Sequence, residues 1–234
     1  MHEQFQIDNI PVTVRRNARA RRMTLRVARA GGAVVLTLPM RATLQAGREF
    51  AASKADWLRR TVSAMPEPKL VVEGARLPIA GQEVLLRAMP LKSVRLEDGV
   101  LYVPSRGAVA VTVQAWLKHR AHIALREAVD RFATRLGRQP SALSLRDTRS
   151  RWGSCTHDGR LMFSWRLAMA PPKVLEYVAA HEVAHLAHMD HSERFWAQVE
   201  VLMPGHAPYR NWLRTHGADL QAWRFKSASA PVGS

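Results

Sequence analysis

The segment His181-Glu182-Val183-Ala184-His185 sets two imidazoles four residues apart, with a carboxylate next to the first. On a helix, residues at i and i+4 emerge on one face, one turn apart. Two ring nitrogens at that spacing can reach a single Zn²⁺ at ~2.0–2.1 Å. Glu182 projects about a quarter-turn away, so it cannot ligate as the histidines do. It can take a proton from a water that the metal polarises, which is how metalloproteases use His-Glu-x-x-His. A tetrahedral catalytic zinc needs a third protein ligand and one open position. Two further histidines, His188 and His191, compete for that role. His188 would lie one more turn along the same helix, roughly 4.5 Å from His185 and ~10 Å from His181 at ~1.5 Å per residue. Three histidines strung along one helix converge poorly on one ion. His191 returns to the site if the chain reverses at about residues 187–190. The spacing therefore favours His181, His185 and His191, with one Zn²⁺ per chain.

These residues need elements that position them. Pro171-Pro172 opens a predicted helix that runs to about His188, proline being tolerated in a first turn. Its apolar Val174, Leu175, Val178 and Ala179 mark it as buried, and histidines with a carboxylate are costly to bury without a ligand. Upstream, residues 152–156 and 161–165 read as strands joined at Asp158-Gly159, a hairpin signal. Leu125, Val129, Phe132 and Leu136 form the stripe of a helix ending at Gly137. Downstream, Phe195, Val199 and Leu202 mark another helix with Ser192 as its cap, and residues 209–213 start a last short one.

The first hundred residues read mainly as strands. Residues 24–27 and 33–38 flank Gly31-Gly32 as a hairpin. Thr43 caps one helix with Phe50, Trp57, Leu58 and Val62 on its apolar face, stopped by Pro66-Glu67-Pro68. Further strands fall at residues 70–72, 83–87, 94–96 and 100–103, and no internal repeat is evident. The expected organisation is a β-rich part over residues 1–110 with one helix, a catalytic part over 111–220, and a flexible tail over 221–234. No Gly/Ser/Pro-rich linker separates the halves.

Of 234 residues, 47% are hydrophobic and 23% charged, which excludes wholesale disorder and fibrous architectures. One cysteine excludes a disulfide-stapled scaffold and fits a reducing compartment. The polar N-terminus lacks the apolar core of a signal peptide, and no run of ~18 apolar residues occurs, so a cytoplasmic protein without membrane contact is expected. The 35 Lys and Arg against 19 Asp and Glu give a net charge of +16. Such an excess suits a polyanionic partner. Arg15, Arg16, Arg19, Arg21 and Arg22 form the densest basic cluster and the expected contact with nucleic acid. A solvated hairpin rim is the alternative, and aromatic interleaving for base stacking is missing.

Around the hairpin, Cys155 with His157 raises the possibility of a cysteine nucleophile, but no third group orients the pair. Cys155 reads better as packing. Gly153 and Ser154 leave a backbone edge that an extended peptide can pair with. Tyr209 or Arg151 has the residue type to stabilise an oxyanion.

Taken together, Arg151-Trp152-Gly153-Ser154-Cys155, Trp165-Arg166-Leu167, Pro171-Pro172, the histidine motif with His191, and Phe195-Trp196 resemble the YgjP-like metallopeptidases, bacterial zincins similar to the SprT-like proteases. The resemblance implies an α+β fold. Its catalytic part would be a small zincin, with helices on an antiparallel sheet and an active-site helix, after a β-rich N-terminal part. It carries the ligand pattern onto His181, His185 and His191 and the catalytic glutamate onto Glu182. Metzincins share the histidine spacing but place glycine where this chain has His188, and no methionine turn follows.

The expected function is zinc-dependent hydrolysis of peptide bonds in a peptide or protein substrate, with Glu182 as general base. Two alternatives keep the site and change the target: a nucleotide phosphoanhydride, which arginine-rich surfaces suit, or proteins bound to DNA. The sequence specifies no oligomeric state.

Overall fold

Turn chemistry shapes the first strands. β1 (Gln4–Ile7) and β2 (Ile10–Asn17) are joined by Asp8-Asn9, at φ 48° and 63°, the positive φ at both centres that a type I′ hairpin turn demands. A computed structural model describes residues 3–28, 33–148 and 150–225. The chain divides into two compact units, Met1–Pro68 and Lys69–Ser234.

In the first unit, β3 (Thr24–Val27) and β4 (Val34–Pro39) complete a four-stranded sheet in the order β1-β2-β4-β3. The β3–β4 hairpin pairs antiparallel as expected, while its Gly31-Gly32 turn lies outside the described residues. The central β2–β4 pair is parallel. Alternation puts Val12, Val14, Val34, Leu36 and Leu38 into a core with Ala51 of α1 (Leu44–Ala52) and Leu58 of α2 (Ala55–Ser63). Thr43 caps α1 by accepting from the Ala46 amide. The single helix expected here is two, parted at residues 53–54, where the Ser53 hydroxyl donates to the Phe50 carbonyl at 2.8 Å. Trp57, expected on the apolar face, stands 40% exposed.

The second unit opens with β5 (Lys69–Leu70), β6 (Arg76–Ile79), β7 (Gln82–Met89), β8 (Arg95–Glu97) and β9 (Val100–Pro104). The last four form a sheet in the order β6-β7-β9-β8, again with antiparallel outer pairs and a parallel centre. This is the topology of β1–β4 repeated, a repeat the sequence does not reveal. Leu77, Ile79, Val84, Leu86, Leu101 and Val103 share one core with Val113 and Leu117 of α3 (Val109–Leu136). The compact units part at Pro68, whereas the change from strands to helices set the expected boundary near residue 110. The β6–β7 turn shows why: Ala80 and Gly81 donate to the carbonyls of Ala168 and Met169, at 2.9 and 3.1 Å.

After α3, β10 (Ala142–Arg146), β11 (Gly153–Cys155) and β12 (Arg160–Ser164) make a three-stranded sheet with β12 in the centre. β11 pairs antiparallel and β10 parallel, so the sheet is mixed where an antiparallel one was expected. A 3₁₀ turn, Trp165–Met169, leads to α4 (Pro172–Ala184), followed by α5 (Glu193–Leu202) and α6 (Ala207–Ala222). The fold class is α+β, as expected. Among the described residues no helix is long and apolar enough to cross a membrane.

The C-terminal stretch is a correction. Trp223 and Phe225 are buried, and β13 (Trp223–Arg224) pairs with β5, so the expected tail does not begin at 221. Residues 226–234 lie outside the described residues. Arg166 ties this end down. Only 2% exposed, it donates from Nε to Asp147 at 2.7 Å and from Nη1 to the carbonyls of Leu220 and Trp223 at 3.0 Å each. Its guanidinium also lies over the Trp165 and Phe225 rings. Removing one side of such a buried charged network leaves its partners unpaired. Arg166→Met should therefore lower the unfolding free energy by about 3–5 kcal/mol, read from the urea midpoint. An unshifted midpoint would show that the clamp contributes nothing to stability.

Candidate metal and active site

α4 delivers His181 and Glu182 in its last turns and His185 as its C-terminal cap. The chain then reverses. Ala187 and His188 donate back to the Ala184 carbonyl, and Asp190 accepts from both the amide and the hydroxyl of Ser192. His191 comes back across the helix end, where the ligand atoms of His181, His185 and His191 all lie within 4.8 Å of one another. His188 does not join them. Its carbonyl instead accepts from His185 Nδ1 at 2.9 Å, which leaves Nε2 of His185 free to face the cluster. Outer-sphere bonds of this kind fix the tautomer and orientation of a metal-binding imidazole. The turn needs no positive φ at residue 188, so histidine serves where metzincins place glycine.

The donor set suits a tetrahedral divalent ion. Nε2 of His181 and Nε2 of His191 are 3.2 Å apart, and two nitrogens at ~2.0–2.1 Å from one tetrahedral centre are about 3.3 Å apart. Burial, aided by His185 and His191, lowers the His181 pKa to about 3, so the ring is neutral and its lone pair available. Phe195 on α5 holds the cluster from below, with ring centroids 4.9, 4.4 and 4.8 Å from His181, His185 and His191. Trp196 packs on His181 and His191.

Glu182 is 5% exposed, and burial raises its pKa to about 8, against a lowering by the nearby charge of Arg151. Its carboxylate fits because β11 begins with glycine: a Cβ on Gly153 would lie 2.5 Å from Glu182 Cγ and Oε1. Gly153, Trp152, Arg151, Tyr177, His181, Glu182 and Arg210 line one cleft of about 280 Å³. Ser154 is half-buried in the same edge strand, one residue along. Tyr209 is not in this cleft. It lines a separate depression with Leu202 and Met203, because the helix turns the next residue, Arg210, toward the site instead.

Tyr177 and Arg210 are residues that sequence reasoning alone does not single out. Tyr177 sits one turn before His181 and reads as a core position. It is buried, and burial raises its pKa to about 12, so the phenol keeps its proton. Arg210 lies over the Trp196 ring at 4.3 Å. Nothing in its local sequence separates it from the other surface arginines. Of the basic cluster, Arg15, Arg19, Arg21 and Arg22 line one concave surface of the first unit. Arg16 is elsewhere, bonded to the carbonyls of Met40 and Ala42.

An α+β fold with three converging imidazoles and a buried glutamate beside them defines a zincin-like metallohydrolase. The model of the YgjP-like metallopeptidase domain matches residues 21–216. The chain belongs to that family, and with it to the metal-dependent peptidases; the family implies a divalent metal, which the three histidines could hold. The crystal structure of the metallopeptidase zymogen abylysin from Pyrococcus abyssi is similar over 39% of this chain and 92% of that one, at 21% identity and a TM-score of 0.36. No curated protein matches the chain.

The β11 strand offers two tests. Gly153→Ala would displace the Glu182 carboxylate while leaving the imidazoles in place. Peptide hydrolysis should fall about 10²-fold, the size of effect that a small misplacement produces, with metal content unchanged. Full activity would mean that the carboxylate position is not limiting. Cys155, whose sulfur donates to the Thr156 carbonyl, has its pKa raised to about 11 by burial and by the charges of Glu182 and Asp158. Its thiolate fraction at pH 7.5 is on the order of 10⁻³ to 10⁻⁴, so a disulfide reagent should react slowly and about tenfold faster per pH unit up to pH 11. Fast labelling at neutral pH would restore the nucleophile reading.

Proposed function

We propose that the protein is a zinc peptidase in which Glu182 is the general base. The observation that carries this reading is the placing of Glu182, buried and accommodated by Gly153, in one cleft with His181, whose ring nitrogen converges with those of His185 and His191. Bound there, Zn²⁺ would supply a Lewis acid that polarises the scissile carbonyl and makes a water acidic near neutral pH. His181, His185 and His191 would hold it. Glu182 takes the proton of the attacking water and returns it to the leaving amine nitrogen. The open edge of β11, at Gly153 and Ser154, pairs with an extended substrate backbone and lays its carbonyl across the cleft. Arg210, Arg151 and the protonated phenol of Tyr177 face the oxygen on which charge develops. The single cysteine supports a reducing, cytoplasmic setting.

A second reading rests on one feature. Arg151 and Arg210 place two guanidinium groups in the cleft, an arrangement that also matches the oxygens of a nucleoside triphosphate. One activity screen over unfolded proteins, peptides and nucleoside triphosphates separates the two substrates, and Glu182→Gln tests the base for either. Glutamine has nearly the same shape but takes no proton at neutral pH. The variant should keep about one equivalent of zinc and lose ~10²–10⁴ in rate. Alanine at His181, His185 or His191 should remove the zinc, whereas His188→Ala should keep it, since only the residue-188 carbonyl is used. A zinc-loaded Glu182→Gln protein with full turnover would end the general-base reading.

A further inference from the structure

The repeated sheet allows the chain to be compared with itself. Val14 pairs with Leu36 and Leu36 with Leu25; Leu86 pairs with Leu101 and Leu101 with Leu96. With this row aligned, the neighbouring rows match strand for strand. On the face turned away from the core, Arg15–Thr37–Thr24 corresponds to Arg87–Tyr102–Arg95, and Arg26 corresponds to Glu97. In the second sheet, Glu97 pairs with Arg95 at 3.6 Å, so that face is partly neutralised. In the first, arginine stands where the glutamate would be. Among the described residues, none of Arg15, Arg19, Arg21, Arg22 and Arg26 has an ion-pair partner, and all five are exposed.

The cationic face is also shaped. These five arginines, with Asn17, Thr24 and Thr37, line a concavity of about 510 Å³ without a carboxylate among its lining residues. Residues 1–68 carry 12 Lys and Arg against 5 Asp and Glu. Like charges gathered on one concave face repel one another and are retained at a cost that a polyanion would offset. Guanidinium forks and threonine hydroxyls both suit phosphate oxygens. The lining offers no aromatic ring on which an unpaired base could stack, which disfavours single strands. It offers no exposed large apolar side chain either, which disfavours insertion into an anionic membrane.

We infer that the open face of the first sheet is a binding site for duplex DNA, contacted through its phosphates by Arg15, Arg19, Arg21, Arg22 and Arg26 and without sequence preference. Arg16 takes no part, since its guanidinium is committed to the carbonyls of Met40 and Ala42. The inference is independent of the chemistry proposed for the histidine cleft.

The test uses the full chain and a fluorescent 20-base-pair DNA duplex, with anisotropy measured from about 50 to 200 mM salt. The parent should bind, and log K should fall linearly with log salt. Replacing Arg15, Arg21, Arg22 and Arg26 by glutamine should weaken binding at least tenfold, and should reduce the slope by about 0.9 for each phosphate no longer neutralised. Arg87→Gln with Arg95→Gln on the second sheet should change neither. Circular dichroism and zinc content establish that the variants fold. If the fourfold variant does not, Arg15→Gln and Arg26→Gln singly should each flatten the slope by about 0.9. Any of three results overturns the inference: no duplex binding at about 50 mM salt, an unchanged slope in the first-sheet variants, or tighter binding of a matching RNA duplex, single strand or phosphatidylserine vesicle.

Discussion

The site depends on a chain reversal at the end of one helix. Two imidazoles at i and i+4 come free with helical geometry, but the third has to be carried back against the helix axis within six residues. The bond between His185 Nδ1 and the His188 carbonyl fixes a ring and stabilises the reversing backbone together, and Asp190 with Ser192 completes the turn. Phe195 then touches all three rings from the next helix. Ligand geometry and loop geometry are thus one problem with one solution, in which the residue-188 side chain is a bystander while its carbonyl is essential.

Electrostatics builds on that frame. The same burial that keeps His181 neutral raises the pKa of Glu182, so the cleft disfavours charge of either sign until a cation arrives. A divalent ion reverses the balance, stabilising an ionised carboxylate beside it. Gly153 makes this burial sterically feasible by removing the side chain that would fill the space.

Much of this was legible in the residues. The histidine spacing, the rejection of His188 on axial distance, and the Asp158-Gly159 hairpin all follow from local geometry, and local geometry is what sequence reports best. Features that depend on which surfaces meet were not legible. Tyr177 reads as a core position because its spacing with Val174 and Val178 is that of a buried stripe. Tyr209 and Arg210 differ by one helical step, about 100°, and the sequence carries no sign of which one the site receives. The structural repeat is hidden because its two copies share register and alternation but few residue identities, as at Arg26 and Glu97. The C-terminal residues look like a tail, yet Trp223 and Phe225 are held by Arg166 from 57 and 59 positions away in the chain.

The central claim is that His181, His185 and His191 form a three-imidazole site with an open position. X-ray absorption at the zinc edge of the metal-loaded protein tests it most directly. The account predicts three nitrogen scatterers at ~2.0–2.1 Å, with the outer-shell pattern of imidazole, and one light oxygen scatterer in addition. A sulfur scatterer at ~2.3 Å, or a fourth imidazole that closes the site, would contradict it.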